Sequence, residues 1–418
     1  MKLHEIREEI ERSETCPHAA QRAEDRNPWE AVVAVLKTHY YEPDIQAARA
    51  LYSAVAAHDL KGQPVWPMAV APPGSMKTEL LRALDGQPRV HSIDGVTSKT
   101  FISGQIRDKE VGAASLPPSS LLHRIGSSGI LLCPDFSTIL AIKSDDRNAI
   151  LADLRRIYDG ELRKEFGTSE SVPIWRGRIT LVAAVTEDID KHYSVIQSLG
   201  DRFVMVRMAR AGQEAAIRAM TQDMEKARAE LTGGVHDLFK SLSSVEPQVS
   251  ESMLRRLSAL AEMAVRARSY VQRGGPDKSV IGEPQAESAT RLAQQLCQLV
   301  KGSARLSHRA VAEGEDFETA RRAAFDCIPA RRRLMLDWAI EGGKIASNSA
   351  TKKYDREELE VLGLVDGQHL SSLSKRLLQE INPDGNFTQS PPRASDQVTV
   401  EAEVGGTSRE HSSQGGVL

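Results

Sequence analysis

Unbroken apolar runs constrain this chain more than any other feature. They occupy residues 65–70, 129–133, 179–185 and 203–206, all too short to cross a membrane as helices. A strand with one wet face alternates apolar and polar residues, whereas a strand that is apolar at every position is covered on both faces. Between the runs, apolar residues recur at helical spacing, as in Ile150, Leu151, Leu154, Ile157 and Tyr158. Strands alternating with helices predict an α/β fold whose parallel sheet is sandwiched between helical layers.

The rest of the chain divides by pattern. Residues 1–60 are charged and alanine-rich, and Val32, Val35, Leu36, Ile45, Ala48, Leu51 and Tyr52 predict a helical lead-in. The α/β core is expected over 61–210. A helical subdomain follows over 211–325, with Met253, Leu254, Leu257, Leu260 and Ala261 on one face and Leu292, Leu296, Leu299 and Val300 on another. A polar Gly/Pro loop at 272–286 interrupts it. A third module is expected over 326–382, and the Ser-, Gly- and Glu-rich stretch 383–418 reads as a disordered tail. The balance of 54 Lys+Arg against 57 Asp+Glu excludes a polycation that coats nucleic acid, so any such contact must be local. No membrane segment or hydrophobic leader is apparent. The four cysteines, Cys16, Cys133, Cys297 and Cys327, stand far apart, which predicts a reducing cytoplasm and no zinc site.

Chemistry concentrates after the first run. In Ala71-Pro72-Pro73-Gly74-Ser75-Met76-Lys77-Thr78 a Gly-containing loop joins a strand to a helix. A phosphate loop needs backbone N–H groups wrapped around phosphate, a lysine on the β/γ oxygens and a hydroxyl on Mg²⁺. Gly74, Lys77 and Thr78 suit those roles, with Pro73, Ser75 and Met76 lining the loop. Ala71 and Met76 stand where glycines are usual. Gly74 therefore has to supply any positive φ, and Met76 becomes the first residue with helical dihedrals. Pro67 is awkward in a central strand because it cannot donate to the ladder. The same residues also suit an ordinary Pro/Gly loop before a helix. The second run delivers one carboxylate, Asp135, to the Mg²⁺ or the attacking water, and Pro134 precedes it where a second carboxylate is usual. Nucleotide binding is thus better supported than hydrolysis, and Asp135 also suits a helix N-cap.

Taken in order, these pieces resemble an AAA+ P-loop ATPase, nearest the branch of the minichromosome-maintenance helicases and MoxR-type ATPases. The likeness runs from Val65 to Ala324. It implies that Thr186, at the tip of the third run, is the polar sensor residue. Arg202, in Gly200-Asp201-Arg202-Phe203, takes the place of the arginine finger, and Arg291 that of the second sensor on a lid helix. The stretch from Ser92 to Phe101 is similar to the family's extra insertion, and Glu315-Asp316-Phe317 to the start of its last lid helix. The implied ligands are ATP and Mg²⁺. An arginine finger stabilises charge building on the γ-phosphate of a neighbouring subunit, which implies a ring or other head-to-tail assembly of this chain with itself. Arg202 also suits a surface pair with Asp201.

The third module resembles a winged helix: a helix over 331–340, a short segment over 347–350, a helix over 356–362, two small strands around Asp366-Gly367, and a helix over 372–381. Such modules place a helix in the DNA major groove and a basic wing on phosphate. Residues 326–380 hold nine Lys+Arg and nine Asp+Glu, so a DNA footprint rests on Arg331-Arg332-Arg333 and Lys352-Lys353. Docking of a protein partner is the alternative, since a winged fold serves both ends. Three readings follow: an ATPase that couples to DNA in replication, mobile-element or defence roles; a nucleotide-responsive DNA-binding regulator with little turnover; and a remodeller that docks a protein.

Overall fold

Two helices precede the first strand in this computed structural model, which describes residues 27–103, 119–166, 172–192, 202–282, 284, 286–342 and 350–385. They are α1 (Pro28–His39) and α2 (Ile45–Ala56), followed by β1 (Trp66–Val70), α3 (Lys77–Arg82), β2 (Val90–Ser92), α4 (Leu121–Ile125) and β3 (Ser128–Cys133). Then come α5 (Ser137–Leu140), α6 (Ser144–Tyr158), a hairpin of β4 (Glu161–Arg163) and β5 (Ile174–Arg176), β6 (Arg178–Val185) and β7 (Phe203–Arg207). The central sheet has the order β2-β3-β6-β1-β7, and every pairing in it is parallel. The expected α/β sandwich is present.

Alternate residues of each strand serve opposite faces. Met68, Val70, Leu131, Cys133, Leu181, Ala183 and Met205 enter one apolar cluster. Ala69, Ile130, Leu132, Val182, Ala184 and Val206 enter the other, together with α1, α2 and α3. Both faces are buried, which is why the runs show no polar alternation. The lead-in is part of this core: every residue of α2 from Ala47 to Ala56 is buried. Pro67 is accommodated in the central strand because β1 joins β6 only from Met68 onward. One residue earlier the indole N–H of Trp66 donates to the Ile179 carbonyl at 2.8 Å, satisfying an acceptor that the β1 backbone leaves unmet.

Helices follow the sheet: α7 (Gln213–Thr221), α8 (Met224–Ser241), α9 (Glu251–Arg268), α10 (Thr290–Leu306) and α11 (Gly314–Asp326). The polar interval before α10 carries a small hairpin, β8 (Arg273–Gly274) with β9 (Ser279–Val280). The expected apolar faces are buried, except that Leu254 is exposed. Beyond these lie α12 (Ala330–Ile340), α13 (Ala350–Val361), the hairpin β10 (Val365–Asp366) with β11 (His369–Leu370), and α14 (Ser372–Ile381). This last group is joined to α9, where Arg256 Nε donates to the Ile381 carbonyl at 2.8 Å. Of the expected segment over 347–350 and the expected tail over 383–418, residues 347–349 and 386–418 lie outside the described residues, and Ala350 opens α13. No described helix is long and apolar enough to cross a membrane.

The basic triplet on α12 is not a stripe. Arg332 is buried and donates to the carbonyls of Ala267 and Ser269 and to Glu358, while Arg333 is buried against Asp337 and the Phe325 ring. Arg331 is exposed and pairs with Asp355 at 2.5 Å. Two of the three charges expected to meet phosphate are spent inside the molecule.

Candidate functional site

The loop between β1 and α3 starts where the sheet ends. Ala71 N donates to the Val185 carbonyl at 3.2 Å and Met208 N to the Val70 carbonyl at 2.9 Å, so β1, β6 and β7 finish level. On the far side of β6, Phe136 N donates to the Ala184 carbonyl at 2.8 Å. The residues following β1, β3 and β6 thus emerge together at the carboxyl edge of the sheet, where open parallel sheets bind ligands.

Gly74 has φ 77°, the left-handed region, and no atom lies within 4 Å of where a Cβ would stand. It provides the positive φ that the missing glycines do not, and its open side leaves backbone accessible. Pro73 is exposed beside it. Met76 has φ −67° and ψ −5° and immediately precedes α3, as expected of a first helical residue. The Ser75 hydroxyl is buried without a hydrogen-bond partner among the described residues. Lys77 is buried, and its Nζ donates to the Pro72 carbonyl at 2.9 Å, drawing the loop closed. Burial lowers the Lys77 pKa, and the charge of Asp135 opposes that shift. Thr78 is half-buried in the first turn of α3.

Asp135 is exposed just past β3, and its Oδ1 accepts from Ser137 N at 3.0 Å. Thr186 is half-buried at the tip of β6, and its carbonyl accepts from Ile189 N at 3.1 Å to begin the 3-10 turn Glu187–His192. An open glycine cradle, an unmet hydroxyl and a buried ammonium suit the phosphates of ATP. The Thr78 hydroxyl and Asp135 suit Mg²⁺, which commonly takes one or two protein oxygens and completes its shell from phosphate and water. No cluster of three or more His, Cys, Asp or Glu able to hold a metal occurs among the described residues.

The two arginines lie elsewhere. Arg202 precedes β7 at the opposite, amino edge of the sheet, about 15 Å from the loop by strand rise. Its Nη2 meets both Asp159 oxygens at 3.0 and 2.8 Å, and its guanidinium lies 5.4 Å from the Tyr158 ring centroid. Its partner among the described residues is thus Asp159; Asp201 lies outside them. Arg291, on the first turn of α10, acts on the same Tyr158: burial pushes that phenol up to about 12 against the pull of Arg291 and Arg202. Gln295, one turn after Arg291 on α10, donates its Nε2 to the Arg202 carbonyl at 2.7 Å, so the helix start that carries Arg291 packs beside Arg202, away from Lys77, Asp135 and Thr186 of the same chain.

Two further groups at the carboxyl edge went unread in the sequence. Asp94 follows the short edge strand β2; burial, and after it the charges of Asp135 and Asp94, pushes the Cys133 thiol up to about 12. Arg207 ends β7, where its guanidinium meets Asp190 at 3.0 and 2.6 Å and the Asp326 carbonyl at 2.9 Å. Its only signal in the sequence was a charge closing an apolar run. Comparison with known proteins returned no matching family model and no matching curated relative.

Proposed function

We propose that the protein is a P-loop ATPase of the AAA+ type that binds ATP with Mg²⁺ and works as a head-to-tail oligomer. The observation that carries this reading is the convergence of Gly74, Lys77, Asp135 and Thr186 on one sheet edge, delivered by three adjacent strands. Lys77 leaves the Pro72 carbonyl for the β/γ oxygens of the nucleotide, and the Ser75 hydroxyl gains the acceptor it lacks. Thr78 and Asp135 would hold Mg²⁺, which would supply neutralisation of the phosphate charge. Asp135 orients the attacking water, and Thr186 holds its far side. Arg202 and Arg291, sharing the opposite edge, serve the nucleotide of a neighbouring copy rather than their own.

The helices over 211–325 act as the lid, and the C-terminal group acts as a winged helix. Its DNA contact falls to the exposed Arg331 and Lys353, each also near a carboxylate. A second reading, a nucleotide-responsive regulator with little turnover, is favoured by Asp135 following β3 with Pro134 where a second carboxylate is usual. Phosphate release with and without single- and double-stranded DNA separates the two. Steady, DNA-stimulated release supports the ATPase; tight ATP binding without release supports the regulator. Lys77→Ala is expected to abolish ATP binding, and undiminished turnover in that variant overturns the assignment.

A further inference from the structure

We propose that Arg207 is a positioning residue for the cleavage step, holding the turn that carries Thr186; this rests on the ATPase reading above. Arg207 is the last residue of β7 and stands level with Val70, the residue that leads into the phosphate loop. Its side chain is nonetheless buried and turned to protein partners. Nη1 and Nη2 grip the two oxygens of Asp190, and Nε donates to the Asp326 carbonyl. The side chain is buried, and three of its five N–H donors are held by Asp190 and Asp326, so its effect on the site is taken as indirect.

That effect runs through Asp190, four residues beyond Thr186 on the turn that the Thr186 carbonyl begins. The turn is fixed at one end by β6 and at the other by the forked Arg207–Asp190 pair. Arg207 is in turn held by Asp326, whose Oδ2 accepts the Arg207 backbone N–H at 2.9 Å. Arg322 closes the frame, donating to the Arg207 carbonyl at 2.6 Å and to both oxygens of Asp44. Helix α11 and the segment before α2 therefore brace the edge at which phosphate chemistry is placed. A planar fork fixes orientation as well as distance, which an ammonium cannot do.

The test compares wild type, Asp190→Asn and Arg207→Lys, measuring ATP affinity, the single-turnover rate of phosphate release and thermal stability. Asp190 is partly exposed, so its amide variant keeps the fold even where Arg207→Lys does not. The expected result is ATP affinity within about twofold of wild type and a cleavage rate lowered about tenfold or more in the folded variants, as loosened positioning produces. A merely structural pair would lower the melting temperature and leave that rate alone. A wild-type rate in folded Asp190→Asn overturns the proposal while leaving the ATPase reading intact. A wild-type protein that does not cleave ATP overturns both.

Discussion

Lys77 and Gly74 were legible as residues because each does something few others can. Lysine alone offers a long flexible ammonium, and glycine alone takes φ 77° without strain. Gly74→Ala meets open space rather than a clash, so its cost is conformational: about 1 kcal/mol of stability and weaker ATP binding, checked by urea unfolding and titration with ATP. The pairing of Arg202 with Asp159 was not legible, since those residues stand 43 positions apart and only the fold joins them. Likewise, nothing marks His58 in the sequence. It is buried, its ring nitrogens lie 2.9 Å from Thr180 Oγ1 and 3.0 Å from Ser128 Oγ, and burial pushes its pKa down to about 4. Above about pH 6.5 the ring is neutral whether folded or unfolded. Between 6.5 and 4 only the unfolded chain takes the proton, so stability falls as pH drops, by about 3 kcal/mol over that window. Urea unfolding at pH 7.5 and 5 is expected to show about 2 kcal/mol of this fall in wild type and a smaller one in His58→Gln; equal falls would contradict it.

Elements were legible where burial is two-sided. The four apolar runs became β1, β3, β6 and β7, but β2 has three half-exposed or exposed residues and gave no run to read. Helical spacing marked α10 but not its close approach to α2. A Cβ on Gly302 would stand 2.0 Å from the Ser53 carbonyl oxygen, so the two helices meet backbone to side-chain-free backbone. Arg49 pins the same contact, donating to Ser303 Oγ and Ser307 Oγ, each at 2.7 Å. Gly302→Ala must push the helices apart at a cost of about 3 kcal/mol, because packed backbone does not yield as a flexible side chain would. A melting temperature within a degree or two of wild type would contradict this contact. The Arg331-Arg332-Arg333 triplet misled for a related reason: sequence shows charge but not which way a helix turns it, and α12 turns two of the three inward.

At the scale of the whole molecule, the proposed function makes activity a property of the assembly, because Arg202 stands at the sheet edge opposite the loop after β1. Arg202→Ala is therefore expected to bind ATP as wild type does and to lose most turnover, with release recovering in mixtures with Lys77→Ala, whose own Arg202 is intact. Absence of recovery would argue against action between copies. The near-neutral balance of charge places the chemistry in a few residues rather than in a general field. All of it depends on the loop at the carboxyl edge of β1. The most direct measurement is equilibrium binding of ATP in the presence of Mg²⁺ to wild type and to Lys77→Ala. The account predicts saturable binding to wild type and a loss of about a hundredfold or more in the variant, in keeping with removal of a buried charge contact to phosphate. Equal affinity in the two proteins, or no binding by wild type, would contradict it.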